Sequence, residues 1–170
     1  MPLQLSKKHY FLGLYFLLLL ILAPSNLPLS DTFYYWEWSR HLALSYYDGP
    51  PLIAYFIKCS TLIFGDTLFA LAFVGIAVTT LISRIIYKTA RCFLNEDASY
   101  VAVILWLFSP QITLSLLKQT TYDSPLTLFW ALIVYYVMCY IKTNKTKYLY
   151  AIGISMGLLL LAKYSGIVLV

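Results

Sequence analysis

Long apolar runs separated by short charged clusters are the feature that most constrains this sequence. The first run lies between Tyr10 and Leu29, and comparable runs occupy 67–86, 98–117, 125–141 and 148–170. A helix rises about 1.5 Å per residue, so about 20 apolar residues cross a hydrocarbon core of about 30 Å. With 61% hydrophobic and only 11% charged residues, the chain is also unlike an ordinary soluble domain. We therefore predict an all-α membrane protein of about five transmembrane helices, folded as a single transmembrane domain (1–170).

The segment 30–66 differs from these runs because acids and aromatic residues alternate in its first half. Charged residues mixed with Trp and Tyr are typical of a helix that lies on a membrane surface. If Asp31 caps such a helix, Tyr35 and Trp38 share one face while Glu37 meets a basic partner on another. This segment is predicted to be an extracytoplasmic loop that contains one or two interfacial helices.

The apolar stretch Leu52–Phe64 is only half a span long and is interrupted by Lys58, so we expect it to enter the membrane surface without crossing it. All basic clusters then lie on one side, which the positive-inside rule makes the cytoplasm. These clusters also account for the net charge of +5 without a nucleic-acid partner. The N-terminus is then cytoplasmic, and five acids share the opposite side: Asp31, Glu37, Asp48, Asp66 and Asp123.

Three of these acids are candidate site residues, and each also has an ordinary structural explanation. Asp31 is the N-cap of the interfacial helix or a general base or metal ligand at the membrane edge, and the two roles are compatible. Asp48, before Gly49 and a Pro pair, is either a turn residue or a rigidly held catalytic or metal-binding group. Asp123 is either the N-cap of the fourth span or a second acid of the same site.

Two lysines are candidates for substrate binding. Lys118 either extends its amine to the interface or meets the substrate, and Lys163, inside the predicted fifth span, either does the same or binds an anionic lipid phosphate. Tyr122 and Tyr164, which flank Asp123 and Lys163 in the sequence, are added as substrate-binding candidates. The Gly153 and Gly157 pair predicts close helix packing rather than a ligand.

Three segments resemble the N-terminal part of membrane glycosyltransferases of the GT-C fold, in the bacterial group that includes protein mannosyltransferases and the aminoarabinose transferase of lipid A. They are DTFYYWEWSRHLALSYYDGPPLIAY (Asp31 to Tyr55), TTYDSPLTLFWAL (Thr120 to Leu132) and LLLLAKYSGIVL (Leu158 to Leu169). The similarity covers essentially the whole chain. Two departures are Thr32, where the family usually has a second acid, and Gly49, where relatives often have a basic residue.

The resemblance implies sugar transfer from a polyprenyl-phosphate donor to a lipid A, glycan or protein acceptor at the outer face of the bacterial inner membrane. It implies that Asp31 and Asp123 are catalytic, and that Asp48 occupies the position of a ligand for a divalent metal, the one cofactor expected. The last run ends without a polar flank, which predicts a truncated part of a longer enzyme. The alternatives are a catalytically inactive remnant and a small multi-pass transport or scaffold protein.

Overall fold

The computed structural model describes residues 7–22, 30–109 and 120–169, and in these ranges the regular elements are all helices, with no β-strand. The all-α prediction is therefore confirmed for these ranges. In chain order the helices are α1 (Lys7–Leu22), α2 (Ser30–Arg40), α3 (Leu52–Phe64), α4 (Leu68–Ala90), α5 (Glu96–Leu107), α6 (Asp123–Thr143) and α7 (Lys147–Ala162), followed by a 3-10 helix (Tyr164–Leu169).

Two of the described helices, α4 and α6, are long and apolar enough to cross a bilayer by length and composition. Helices α3 and α7 are also apolar but shorter. The 13 residues of α3 match the predicted bounds and span about 20 Å, which is less than the bilayer core of about 30 Å. The predicted first and third spans extend into residues outside the described ranges, so the count of five spans stays a prediction.

Local side-chain signals set several helix ends. The Thr67 hydroxyl accepts the Ala70 N–H at the start of α4, and the Asn95 side chain accepts the Ala98 N–H at the start of α5. Such caps satisfy amide donors that have no partner within the helix. Gly65 ends α3 with a positive φ of 71°, a conformation that glycine adopts without strain. Gly65 and Asn95 therefore mark the end of α3 and the start of α5.

The main apolar core lies where α2, α3, α4 and α6 meet. It is built by Tyr35, Trp38, Ile53, Ala54, Ile57, Leu71, Val74, Val78, Ile82 and Leu128. The buried residues of α3 recur at helical spacing, while Leu62 and Ile63 on its other side are exposed. Helix α3 is thus amphipathic and holds α2 against the bundle, which fixes the position of the segment that carries Asp31.

The predicted fifth span over 148–170 is not one continuous helix. Helix α7 ends at Ala162, Lys163 has an extended backbone (φ −158°, ψ 133°), and a 3-10 helix follows. Gly166 packs closely here, because a Cβ at this position would lie 2.7 Å from Cδ2 of Leu159. Lys163 is therefore at a helix end, where its side chain can turn back toward α6.

The prediction of close helix packing at Gly153 and Gly157 is wrong for the described part of the chain. Both glycines are exposed, and a Cβ at either position would meet no atom within 4 Å. The buried residues of α7 are instead Ser155, Leu159 and Ala162. The two glycines therefore lie on the outer face of α7, away from these buried residues.

Candidate functional site

An ion pair joins the start of α6 to the end of α7. The Nζ of Lys163 lies 2.7 Å from Oδ1 of Asp123, although the two residues are 40 positions apart. The lysine side chain is 31% exposed and the aspartate side chain 59% exposed. Asp123 is not the N-cap of α6, because Tyr122 precedes the helix and makes no side-chain cap bond. The carboxylate of Asp123 is instead directed to the lysine.

Tyr122 completes this group. The ammonium of Lys163 lies 4.4 Å from the centroid of its ring, a distance at which a cation is attracted to the ring face. Tyr122 also packs against a second aromatic ring, because Tyr35 meets it edge-on with 5.1 Å between the ring centroids. Tyr122, Asp123 and Lys163, three of the predicted site residues, are therefore in direct contact with one another.

Tyr35 connects this group to α2. It is only 5% exposed. Burial, its hydrogen bond with Tyr122 and the negative charges of Asp31 and Asp123 together raise its pKa far above the ordinary value of 10. The hydroxyl of Tyr35 is thus neutral at physiological pH, and both carboxylates lie close enough to act on it electrostatically. The charges of Asp31 and Asp123 therefore both act on one buried tyrosine.

Asp31 lies in the first turn of α2, one residue after its start at Ser30. It is therefore inside the helix rather than at the predicted N-cap. The hydroxyl of Ser30 is 3.4 Å from one of its oxygens, and the carboxylate is exposed. The unpaired backbone amides at a helix N-terminus favour a negative charge in this position. Asp31 remains available to a substrate in solution or in the lipid headgroup region.

Asp48 lies beside the same helix but in a different setting. Its carboxylate accepts a hydrogen bond from the hydroxyl of Tyr34, and this bond raises the pKa of Tyr34, whose side chain is partly exposed. The described residues contain no group of three His, Cys, Asp or Glu side chains that could hold a metal ion. One carboxylate does not make a divalent-cation site, so the metal stays a prediction and no step of the chemistry is assigned to it.

The loop that carries Asp48 is held against α2 by aromatic contacts. The rings of Trp38 and Tyr46 stack at 4.2 Å with an angle of 8° between their planes. The Tyr46 hydroxyl also donates to the carbonyl of Trp38 at 2.9 Å. The aromatic cluster predicted to be an interfacial belt is thus partly an internal support for this loop.

Tyr164, the first residue of the 3-10 helix after α7, meets the same loop. Its hydroxyl is 3.4 Å from that of Ser45, and its side chain is largely exposed. Tyr164 therefore lies near the group but contacts neither Asp123 nor Lys163 in the contacts described. Lys118, the remaining candidate, falls outside the described residues.

One positioning contact was not found from the sequence. Thr32 is 1% exposed, and its hydroxyl accepts the backbone N–H of Thr120 at 3.1 Å. The Thr120 hydroxyl in turn donates to the carbonyl of Leu71 at 2.7 Å. These bonds fasten the residue after Asp31 to the segment that leads into Asp123. The only sequence signal was Thr32 itself, at a position where the resemblance predicts an acid.

A protein family and a curated relative are similar to this chain. A family model described as dolichyl-phosphate-mannose-protein mannosyltransferase matches residues 48–170. A curated relative, the lipid A galacturonosyltransferase RgtD of Rhizobium johnstonii, is 26% identical over 136 residues, which cover 79% of this chain and 28% of the relative. The chain thus spans less than a third of the length of that relative. No solved structure matches the chain.

Proposed function

The chain belongs to the dolichyl-phosphate-mannose-protein mannosyltransferase family, and from this premise we propose that it acts as a membrane glycosyltransferase that uses a polyprenyl-phosphate sugar donor. The family resemblance found in the sequence is thereby confirmed. The name of the curated relative favours lipid A as the acceptor, ahead of another glycan or a protein. The proposed location is the extracytoplasmic face of the bacterial inner membrane.

One observation carries the proposal: the Lys163 ammonium is paired with Asp123 and lies over the ring of Tyr122. Tyr122 in turn contacts Tyr35 on α2, the helix whose first turn contains Asp31. Transfer of a sugar from a lipid phosphate has three requirements that carboxylates and an ammonium can help to meet. An acceptor hydroxyl must lose a proton, a sugar carbon must be positioned, and the departing phosphate carries negative charge.

In the proposed reaction, an oxygen of the acceptor hydroxyl attacks the anomeric carbon of the donor sugar. The bond between that carbon and the phosphate oxygen breaks, and the lipid phosphate leaves with the bonding electrons. Asp31 accepts the proton of the hydroxyl, a role that suits an exposed carboxylate at a membrane edge.

Lys163 is proposed to bind the phosphate of the donor. An ammonium has three donors, and the structure assigns one of them, to Asp123. Asp123 and Tyr122 hold the ammonium in place, so Asp123 acts by orienting the lysine as well as by its own charge. Tyr164, the first residue of the 3-10 helix after α7, is proposed to contact the sugar.

The test combines a transfer assay with a binding assay on the purified protein in proteoliposomes. Radiolabelled polyprenyl-phosphate sugars, with galacturonic acid, mannose and aminoarabinose as the panel, are offered with lipid A. Asp31→Asn is expected to lower transfer by about 10²–10⁴-fold, the usual contribution of a general base. Its control is Glu37→Gln, because Glu37 is on the same helix but pairs with Arg40 and His41.

The two roles are separated by the binding of unlabelled undecaprenyl phosphate. Lys163→Met should weaken this binding, whereas Asp31→Asn should leave it unchanged. Absence of transfer with every donor, or equal transfer by the Asp31→Asn and Glu37→Gln proteins, would refute the assignment. Equal binding by the Lys163→Met protein would remove the lysine from the phosphate site.

A further inference from the structure

A cleft lies between α1, α4 and α5, and none of its lining residues belongs to the group around Asp123. Its volume is about 430 Å³. Phe16 of α1 and Val103 of α5 form apolar walls, and Gly13 leaves the α1 side open because no atom lies within 4 Å of where its Cβ would be. The polar part of the lining comes mainly from α4, near the C-terminal end of that helix.

Two cations stand on this part of α4. Arg84 and Lys88 both line the cleft, both are exposed, and they are four residues apart, so they project from the same face of the helix. In the described ranges the ion pairs are made by other cations, and neither of these two pairs with a carboxylate. A guanidinium binds phosphate oxygens in a bidentate manner, and an adjacent ammonium adds a second positive charge.

The ring of Tyr87 extends the same face. Its centroid is 5.0 Å from that of Tyr100 on α5, and both rings line the cleft. Aromatic residues with a polar hydroxyl are typical of the level at which a membrane meets water. The cleft therefore combines positive charge, aromatic rings and apolar walls at one end of a helix long enough to span a bilayer.

We propose that this cleft binds the phosphate headgroup of an anionic phospholipid, with an acyl chain along its apolar wall. A free anion would contact the two cations but would leave the half-buried ring of Phe16 uncovered. A phosphodiester lipid satisfies both parts, and basic pockets between membrane helices are known to bind such headgroups. The proposal is independent of sugar transfer, since it uses none of the residues assigned to that reaction.

The experiment measures lipid binding by native mass spectrometry. The protein is purified in a non-ionic detergent, depleted of lipid, and titrated with short-chain phosphatidylglycerol or phosphatidylcholine. One phosphatidylglycerol per chain is expected to bind in preference to phosphatidylcholine. Arg84→Gln with Lys88→Gln should weaken that binding about 30-fold, at about fivefold per cation removed. The matched control is Lys142→Gln with Lys145→Gln, which removes two exposed charges outside the cleft.

A second variant tests the cleft without changing any charge. Gly13→Leu fills the open side of the cleft and should lower phosphatidylglycerol binding, whereas Gly153→Leu, on an equally open face of α7, should not. Equal binding of the two lipids, equal loss in the two glutamine double variants, or equal binding by the two leucine variants would overturn the proposal. Displacement of the lipid by an equal concentration of inorganic phosphate would show a simple anion site instead.

Discussion

The ion pair between Asp123 and Lys163 can be tested by a double-mutant cycle. Three variants are compared with the original protein: Asp123→Asn, Lys163→Met and the two together. Lys163→Met also removes the contact of the ammonium with Tyr122, which is 4.4 Å from the ring centroid. The Lys163→Met step is made once in the original protein and once in the Asp123→Asn protein. Because this contact is lost in both steps, it cancels from the coupling energy, which then reports the ion pair.

The expected coupling follows from the geometry. Two unit charges at the observed 2.7 Å attract by about 1.5 kcal/mol when fully screened by water. The cost of fixing two partly exposed side chains lowers this value, so we expect a coupling of about 0.5–1 kcal/mol. For a chain of this size, about 1 kcal/mol changes the melting temperature by about 2–4 °C.

The assay is thermal unfolding in detergent, followed by intrinsic fluorescence at about 0.15 M and about 1 M salt. The Debye length falls from about 8 Å to about 3 Å between these conditions, so the coupling should decrease at high salt. A second cycle, with Lys163→Met and Glu37→Gln, provides the control because Glu37 pairs with other residues. The reasoning fails if the first cycle shows no coupling at low salt, or if the control cycle shows the same coupling.

Two further pairs of substitutions test the packing that places these groups. Gly166→Ala should destabilise the protein by about 1–3 kcal/mol, because the new Cβ would lie 2.7 Å from Cδ2 of the fully buried Leu159. Gly153→Ala, in an open helical position, should instead stabilise it by up to about 1 kcal/mol. Melting temperatures of the Gly166→Ala and Gly153→Ala proteins that both rise or both fall would contradict this. Thr32→Val should cost about 1–3 kcal/mol because the buried N–H of Thr120 loses its acceptor, whereas Thr32→Ser keeps an acceptor; equal melting temperatures would be the contrary result.

The sequence by itself determined the features that depend on neighbouring residues. The bounds of α3 follow from a Pro pair before it and Gly65 after it, and the start of α5 follows from the side chain of Asn95. The pairing of Glu37 with Arg40 and His41 is set by helical spacing. Each of these signals acts within about one helical turn, so no knowledge of the fold is needed to read it.

The family was also evident from the sequence, because its motifs are contiguous and keep their order. The motif positions predicted that Asp31 and Asp123 belong together, but they did not reveal that Tyr35 connects α2 to Tyr122, the neighbour of Asp123. Tyr35 is four residues after Asp31, a spacing that places both on one helix face. That spacing could have indicated the connection.

Only the tertiary structure decided which groups meet. Lys163 was expected inside a continuous span, yet α7 ends just before it and its ammonium reaches Asp123, 40 residues away. The end of α7 is accompanied by the close approach of Gly166 to Leu159, a contact that no local pattern encodes. Pairings of this kind depend on how whole helices pack, because side chains far apart in sequence become neighbours only when the surfaces between them fit together.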